Sequence, residues 1–261
     1  MKKLLIKIYN QAPIFRHIKK IIGIPTPLIT ENIIWDQNHK IKFKFIAPFP
    51  VAQKAKEKGI ESTMLRSALS LLGYREGIAF DKVVLDVGAN WGFLSLVFAK
   101  TVCHPDGKVL AFEPHPKVLK ALTHTTKINH LENIINLYEV AVGAESKNAR
   151  INLFNGTSNM LKPSKNSISV RQITLDSLVG NLASIDLVKV DVDGYEYNVL
   201  LGSEDVIKKF KPVWIVETNN DERIIPFFIQ RGYSVFDLHM NPASDKTPDN
   251  IICVPERTPS I

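Results

Sequence analysis

Three short motifs that follow apolar stretches carry most of the residues able to do chemistry. Each places carboxylates beside turn-forming residues: Asp86-Val-Gly-Ala-Asn-Trp-Gly92, then Glu113-Pro114, then Asp191-Val-Asp-Gly-Tyr-Glu196. Carboxylates accept strong hydrogen bonds from charged and polar donors. If the apolar stretches are strands of one parallel sheet, their carboxyl ends lie together, and such sheets bind their ligands there. The motifs therefore predict one site for a ligand with hydroxyl or ammonium groups.

The first motif has glycines where a strand turns into a helix. Gly88 permits a tight turn and Gly92 permits close approach of the following helix, so that free N–H groups face a ligand. A dinucleotide fingerprint that begins at Gly88 needs glycine where Asn90 and Phe93 stand. A pyrophosphate would also be repelled by Asp86, which suits an ammonium group better. The residues predicted to bind the ligand here are Asp86, Gly88, Ala89, Asn90 and Gly92.

The second motif ends a strand with a carboxylate. Glu113 lies 21 residues beyond Gly92, where a carboxylate can accept hydrogen bonds from both hydroxyls of an adenosine ribose. The alternative is that Glu113 only interacts favourably with the N-terminus of the helix that begins near Pro116. The spacing favours ribose binding by Glu113, with Pro114 beside it.

The third motif places charge on a strand that should be buried. With a period of two residues, Lys189, Asp191 and Asp193 share one face, although central strands of parallel sheets are usually apolar on both faces. Lys189 and Asp191 could form a structural ion pair, or Lys189 could keep Asp191 ionised beside a substrate. Glu217 and Asn219 end the next strand, and with Asp191 they are candidate ligands of a divalent metal ion. Because acids gather at strand ends without a metal as well, no metal is predicted.

The elements that position these motifs alternate along the chain from residue 82 onward. Strand patterns cover 83–87, 108–112, 134–142, 185–192 and 213–217, and helix patterns cover 92–101, 116–129, 195–210 and 222–231. This alternation predicts an α/β domain with a parallel sheet and crossover helices. Two late strands, over 233–238 and 251–254, predict an antiparallel hairpin at one edge. Residues 143–174 lose the apolar period and are predicted as an inserted loop between short strands.

The first sixty residues differ in charge from the rest. They hold twelve basic and three acidic side chains, a net charge of +9, whereas the whole chain of 261 residues carries +7. Residues 1–24 have a basic amphipathic pattern that could lie on an anionic membrane surface. Residues 33–46 predict a hairpin, and residues 53–73 predict a helix that Gly73 ends. We therefore predict a basic extension over 1–60 and a main domain over 61–261.

Composition excludes several classes of protein. Hydrophobic residues make up 45% of the chain and charged residues 23%, which is typical of a globular protein. Two cysteines, Cys103 and Cys253, are too few for a disulfide framework or a cysteine zinc site, and the apolar run at 4–6 is too short for a membrane span. We expect a cytoplasmic protein, which the basic extension could bring to the inner face of a membrane. Nucleic acid is not an expected partner, because the basic residues lack the clustered aromatic side chains of a stacking platform.

In this order and spacing, the three motifs resemble those of the FkbM-type S-adenosylmethionine-dependent methyltransferases. The resemblance covers about residues 80–240, and one position departs from it, since Asp193 stands where the family usually has glutamate. It implies a Rossmann-like class I methyltransferase sheet of seven strands, mostly parallel, with its antiparallel strand in the C-terminal hairpin. It also implies S-adenosyl-L-methionine as cofactor and methyl transfer to a hydroxyl of a sugar, glycan, glycolipid or secondary metabolite.

The motifs and the resemblance together assign a part of the donor to each motif. Asp86 and the turn at 88–92 are predicted to hold the methionine end, and Glu113 the ribose. Ala141 and Val142, at the end of the third strand, are predicted to pack near the adenine.

Methyl transfer to a hydroxyl also benefits from a base. The transferred methyl group is expected to point toward Asp191, which is predicted to contact the cofactor and to be the catalytic base, with Glu196 as the second candidate. Two alternatives stay open from the sequence. One is a nicotinamide-dependent oxidoreductase on a similar sheet, and the other is a non-catalytic ligand-binding protein with this fold.

Overall fold

The computed structural model describes residues 27–30, 33–36, 39–154, 158–160, 166–243 and 247–256, so the predicted amphipathic segment 1–24 lies outside the described residues. The strands are β1 (Pro27–Thr30), β2 (Ile33–Asp36), β3 (His39–Ile41), β4 (Phe45–Pro48), β5 (Val83–Val87), β6 (Lys108–Phe112), β7 (Ile135–Tyr138), β8 (Ala141–Val142), β9 (Lys147–Leu153), β10 (Ser158–Asn159), β11 (Ser167–Ile173), β12 (Leu187–Val190), β13 (Val213–Glu217), β14 (Tyr233–Phe236) and β15 (Asn250–Pro255). The helices are α1 (Phe49–Glu57), α2 (Ser62–Leu71), α3 (Phe93–Lys100), α4 (Pro116–Ile128), α5 (Glu196–Leu201), α6 (Glu204–Phe210) and α7 (Ile224–Ile229), with a 3-10 helix over Leu175–Asn181. Within these ranges, no helix combines the length and the apolar character needed to cross a membrane.

A sheet of seven strands forms the centre of the fold, in the order β14-β15-β13-β12-β5-β6-β7. Strands β13, β12, β5, β6 and β7 run parallel to one another, and β15 is antiparallel to both of its neighbours. Parallel strands need crossover connections, and here α3 joins β5 to β6 while α4 joins β6 to β7. The mostly parallel, seven-stranded Rossmann-like sheet that the resemblance implies is confirmed.

The predicted C-terminal hairpin is also confirmed, with one refinement. β14 pairs with β15, Tyr233 opposite Pro255, and β15 pairs in turn with β13, Cys253 opposite Trp214. The last strand therefore lies inside the sheet, and β14 forms the edge.

Helices cover both faces of the sheet because its strands are apolar on both. In β5, Val84 belongs to a core that includes side chains of α1, α2, α3 and α4, whereas Leu85 belongs to a core that includes side chains of α5, α6 and α7. This follows from the alternation of side chains along a strand. Two apolar layers thus fix the strand ends that carry the three motifs.

The structure corrects two predictions in the middle of the chain. Residues 134–142, predicted as one strand, form two strands: β7 stays in the large sheet, and β8 leaves it to pair in parallel with β11. Residues 143–174, predicted as an inserted loop between short strands, contain the seven-residue strands β9 and β11, which pair antiparallel. Ala149 and Ile151 are buried at alternate positions of β9, but the polar residues around them obscure this period in the sequence.

Two predicted helices are divided, and one predicted hairpin is rearranged. The predicted helix over 53–73 is α1 and α2, separated by a turn where Gly59 has a φ of 78°. The predicted helix over 195–210 is α5 and α6, separated at Gly202. Within the predicted hairpin over 33–46, β2 pairs with β3, but the last residues begin β4, which pairs with β1.

Residues 45–61, which we call the N-terminal cap, pack against α3 and α4. The Phe45 ring contacts the Phe93 ring of α3 edge to face, with 5.5 Å between centroids. The N–H of Ile46 donates to Oγ1 of Thr125 in α4 at 3.3 Å. The cap therefore shares the core of the sheet domain, and the predicted division of the chain at residue 60 stays a prediction.

Candidate active site

The carboxyl ends of β5, β6, β12 and β13 bring the three motifs to one edge of the sheet. β12 lies between β5 and β13, and its Lys189 is paired with Asp86 of β5 and with Ile215 of β13. Glu113 directly follows β6. The topology therefore places the charged groups of the motifs around one point of the sheet edge.

The turn after β5 depends on Gly88. Its N–H and that of Ala89 both donate to the carbonyl oxygen of Phe112 at 3.0 Å, and its φ is 78°. A Cβ atom at this position would lie only 1.8 Å from the carbonyl oxygen of Asp191. The turn thus fits between β6 and the loop after β12 because residue 88 has no side chain.

A buried ion cluster lies beneath this turn. The Lys189 ammonium lies 3.5 Å from Oδ1 of Asp86 and 3.4 Å from Oδ2 of Asp191, and it donates to the carbonyl oxygen of Gly88 at 2.9 Å. Burial alone would lower the pKa of Lys189, but the Asp191 and Asp86 carboxylates outweigh it and the pKa is raised. The ammonium therefore stays charged and ties the turn to both strand ends. Both interpretations of Lys189 from the sequence fit this position.

Asp86 lies deeper than the sequence suggests. Its side chain is fully buried, and its Oδ2 accepts a hydrogen bond from Oγ of Ser95 at 2.5 Å. Its Oδ1 has no hydrogen bond with any described residue and faces the Lys189 ammonium. The role predicted for Asp86, binding an ammonium group of a ligand, stays a prediction, and the contacts seen are with the protein itself.

Glu113 is held in place by backbone donors. Its two carboxylate oxygens accept from the N–H of Asn90 at 2.9 Å and from the N–H of His115 at 2.8 Å, and 6% of the residue is exposed. Burial raises the pKa of Glu113 to about 7, although these two N–H groups and Lys189 act against it. Each carboxylate oxygen has a further lone pair, so Glu113 can still accept hydrogen bonds from a ligand.

A cleft opens beside Glu113. Its walls are largely apolar, and they include the side chains of Phe112, Ile151 and Met160. The residues predicted from the sequence that line it are Gly88, Asn90, Glu113, Pro114, Ala141, Val142 and Asp191. Ala141 and Val142 come from β8 rather than from the end of the third strand of the sheet, and their predicted contact with adenine stays a prediction.

Three carboxylates lie close together next to the cleft. Asp191, Glu196 and Glu217 each place an oxygen within 4.8 Å of the others. Oε1 of Glu196 accepts from the N–H groups of Val192 at 2.9 Å and Gly194 at 3.1 Å, and the residue is buried. Glu196 thus fixes the loop after β12, whereas the Asp191 side chain is 44% exposed. Of the two predicted bases, only Asp191 lines the cleft.

Glu217 and Asn219 complete this acidic group. The Asn219 amide nitrogen donates to Oε2 of Glu217 at 2.9 Å and to Oε1 of Glu196 at 3.1 Å. Burial and the neighbouring Asp191 carboxylate raise the pKa of Glu217 to about 7. The candidate metal ligands Asp191, Glu217 and Asn219 therefore lie close together, and the expectation that they hold no metal stays a prediction.

Two supporting residues had no assigned role in the sequence predictions. Ser95 is one turn into α3 and fully buried against Asp86. His115 caps α4, since its Nδ1 accepts from the N–H of Lys117 at 3.2 Å, and burial lowers the pKa of its imidazole. A histidine just before Pro116 at a helix start is the signal that could have indicated this cap.

Several solved structures are similar to this chain at low sequence identity. Methyltransferase FkbM from Methylobacillus flagellatus KT is 16% identical with a TM-score of 0.47, and the match covers 67% of this chain and 44% of that chain. A putative rRNA methylase from Clostridium thermocellum is 10% identical with a TM-score of 0.46, over 74% and 94% of the two chains. Precorrin-6y C5,15-methyltransferase from Geobacter metallireducens GS-15 is 14% identical with a TM-score of 0.43, over 76% and 89%. The sequence identities are too low for these matches to identify the molecule that is methylated.

The family comparison is more specific. No curated protein matches the chain. A family model described as the methyltransferase FkbM domain matches residues 86–235, which is more than half of the 261 residues and includes all three motifs. This match favours methyl transfer over the nicotinamide-dependent alternative. The chain is a methyltransferase and belongs to the FkbM methyltransferase family.

Proposed function

We propose that the protein uses S-adenosylmethionine to methylate a hydroxyl group of a sugar, glycan, glycolipid or secondary metabolite. The observation that carries this proposal is Glu113, a buried carboxylate that lines an apolar cleft beside the Gly88 turn. A ribose needs such a pair of acceptor oxygens, and an adenine ring needs apolar walls. The family assignment supplies the reaction class.

The residues present fit this methyl donor. Glu113 would accept hydrogen bonds from the ribose hydroxyls, and Ala141 and Val142 would contact the adenine. Gly88 lets the turn lie directly against the loop after β12, because a Cβ atom there would lie 1.8 Å from the carbonyl oxygen of Asp191. When bound, S-adenosylmethionine would supply a methyl group attached to a positively charged sulfur. The bond between the methyl carbon and sulfur breaks as the acceptor oxygen bonds to that carbon, and the sulfur is left as a neutral thioether.

The chain then has two tasks, to position the acceptor and to accept its proton. Positioning and exclusion of water supply most of the acceleration in such a displacement. Asp191 is the proposed base, because its carboxylate is accessible from the cleft and is held by Lys189 at 3.4 Å. The proton of the acceptor hydroxyl would pass to Asp191, next to Glu217.

Replacing Glu113 with alanine is expected to weaken binding of S-adenosylmethionine by roughly 100-fold, because two hydrogen bonds to a charged group are lost. Isothermal titration calorimetry measures this directly. Affinity in the unchanged protein should also fall as the pH drops through 7, since protonated Glu113 accepts fewer hydrogen bonds and burial raises its pKa to about 7. Glu132→Ala, at an exposed position, is the matched control. Unchanged affinity of Glu113→Ala would contradict the donor assignment.

Replacing Asp191 with asparagine is expected to lower turnover by roughly 10²- to 10⁴-fold, because the proposed base is removed while its shape is kept. The assay follows transfer of a labelled methyl group from S-adenosylmethionine into a cell extract, with mass analysis of the product. That product also identifies the acceptor. Asp81→Asn, an exposed aspartate before β5, should retain full turnover. Dialysis against EDTA should leave turnover unchanged, and a loss that Mg²⁺ restores would instead support the metal-assisted alternative.

A further inference from the structure

One face of α4 is basic along its whole length. Lys117, Lys120, His124 and Lys127 are exposed, and they follow one another at steps of three and four residues, so they form one row on the helix. With a rise of about 1.5 Å per residue, the row is about 15 Å long. The opposite face, which includes Leu122, is buried against the sheet domain. The solvent therefore meets α4 mainly at its basic side chains.

The segment before β4 adds a lysine to this row. The N–H of Lys44 donates to Oδ1 of Asn129 at 2.8 Å, and Nδ2 of Asn129 donates to the carbonyl oxygen of Lys44 at 2.7 Å. Lys44 is exposed, and these two hydrogen bonds hold its backbone at the C-terminal end of α4. Ile46 of β4 lines the same surface hollow as the row. We call the residues Lys44, Lys117, Lys120, His124 and Lys127 the basic face.

The positive charge of the basic face is not neutralised by the described part of the chain. The sequence of α4 contains no aspartate or glutamate. None of the lysines of the basic face forms an ion pair with any described residue. Glu132 lines a neighbouring groove together with Lys127, so negative charge begins only at the edge next to β7. The basic face therefore carries an excess of positive charge that an anionic partner would complement.

The side chains of the basic face favour a surface of many anionic groups over a nucleic acid. The basic face contains no arginine, the side chain that binds phosphate groups through paired hydrogen bonds. It also contains no phenylalanine, tyrosine or tryptophan on which bases could stack. Lysine ammonium groups are attracted to anionic lipid headgroups without a fixed geometry. A row along the outer side of a helix can also face a plane at all of its positions.

We propose that the basic face binds the protein to an anionic lipid membrane. Because α4 begins three residues after Glu113, the Lys117 end of the row lies at the edge of the sheet where the cleft opens. Membrane binding would therefore hold the cleft close to the lipid headgroups. Among the proposed acceptors this position favours a glycolipid, and that last step alone rests on the proposed function.

Pelleting of the full chain with lipid vesicles tests the proposal. At low salt the unchanged protein should pellet with vesicles of phosphatidylglycerol and phosphatidylcholine in equal parts, and not with vesicles of phosphatidylcholine alone. The triple variant Lys117→Gln, Lys120→Gln, Lys127→Gln should bind the anionic vesicles roughly 100-fold more weakly, because each lysine near such a surface contributes about fivefold. Residues 1–24 are the same in both proteins, so any contribution from them cancels in the comparison.

A second triple variant removes the same charge from the other side of the sheet. Lys208, Lys209 and Lys211 are exposed at the end of α6, whose buried side chains belong to the other apolar core. Their replacement by glutamine should leave most of the vesicle binding intact. Glutamine has nearly the helix propensity of lysine, so thermal unfolding should give the same Tm for both variants and the unchanged protein.

Three results would overturn the proposal: no pelleting of the unchanged protein, undiminished binding by the α4 variant, or equal losses in the two triple variants. Binding of the unchanged protein to duplex DNA but not to anionic vesicles would assign the basic face to nucleic acid instead, and the proposal would be wrong. The vesicle assay contains no methyl donor, so its outcome is independent of the proposed use of S-adenosylmethionine.

Discussion

Replacing Lys189 with methionine is expected to lower the free energy of unfolding by about 3–5 kcal/mol, because it leaves a buried charge without its partner. The Asp86 carboxylate is fully buried, and after the change Ser95 is the one described residue whose side chain would still donate a hydrogen bond to it. The carbonyl oxygen of Gly88 would also lose its donor. Methionine is similar in length to lysine, so the loss of stability would reflect the missing charge more than a change in side-chain volume. Denaturant-induced unfolding at neutral pH measures the effect.

Two comparisons separate this from a general effect of removing a lysine. Lys82 pairs with Asp186 at 3.0 Å, with their side chains 32% and 22% exposed, so Lys82→Met should cost about 1 kcal/mol or less. The double variant Asp86→Asn with Lys189→Met should recover much of the loss, since neither buried charge remains. If Lys189→Met is no more destabilising than Lys82→Met, the buried cluster does not have the proposed role.

Replacing Gly88 with alanine is expected to weaken S-adenosylhomocysteine binding by roughly 100-fold, because a shift of about 1 Å in the residues of a site can have an effect of this size. The added Cβ atom would lie 1.8 Å from the carbonyl oxygen of Asp191, so the turn or the loop after β12 must move. Both segments line the cleft beside Glu113. The positive φ adds strain of about 1–3 kcal/mol, which thermal unfolding should show as a lower Tm.

Gly77 provides a control for backbone strain alone. Its φ is 81°, close to that of Gly88, but a Cβ atom there would meet no atom within 4 Å. Gly77→Ala should therefore lose about 1 kcal/mol of stability and keep its affinity for S-adenosylhomocysteine. Binding by Gly88→Ala at the strength of the unchanged protein would show that close approach at residue 88 is not required.

The sequence predicts the large sheet well because its signals are local. The apolar runs of β5 and β12 are bounded by acidic residues and turns, so both the strands and the edge that they share can be predicted. The split of residues 134–142 is not local, since β8 leaves the sheet to pair with β11. Periodicity along one segment carries no information about a partner about thirty residues away.

The candidate site shows the same limit. The spacing between Gly92 and Glu113 predicts Glu113 as a site residue, and in the structure Glu113 lines the cleft. The burial of Asp86 could not be predicted, because it depends on the register that sets Lys189 opposite it and on Ser95 from the next helix.

The position of β15 between β13 and β14 has a consequence for synthesis on the ribosome. Among the described strands of the sheet, β14 pairs with β15 alone, and β15 is made after it. Until residues 250–255 have emerged, β13 therefore has an open edge and β14 has no strand to join. An open edge in a nascent chain is a template for association with other chains. The sheet is therefore completed only late in synthesis. The open edge of β13 is protected from such association only from that point on.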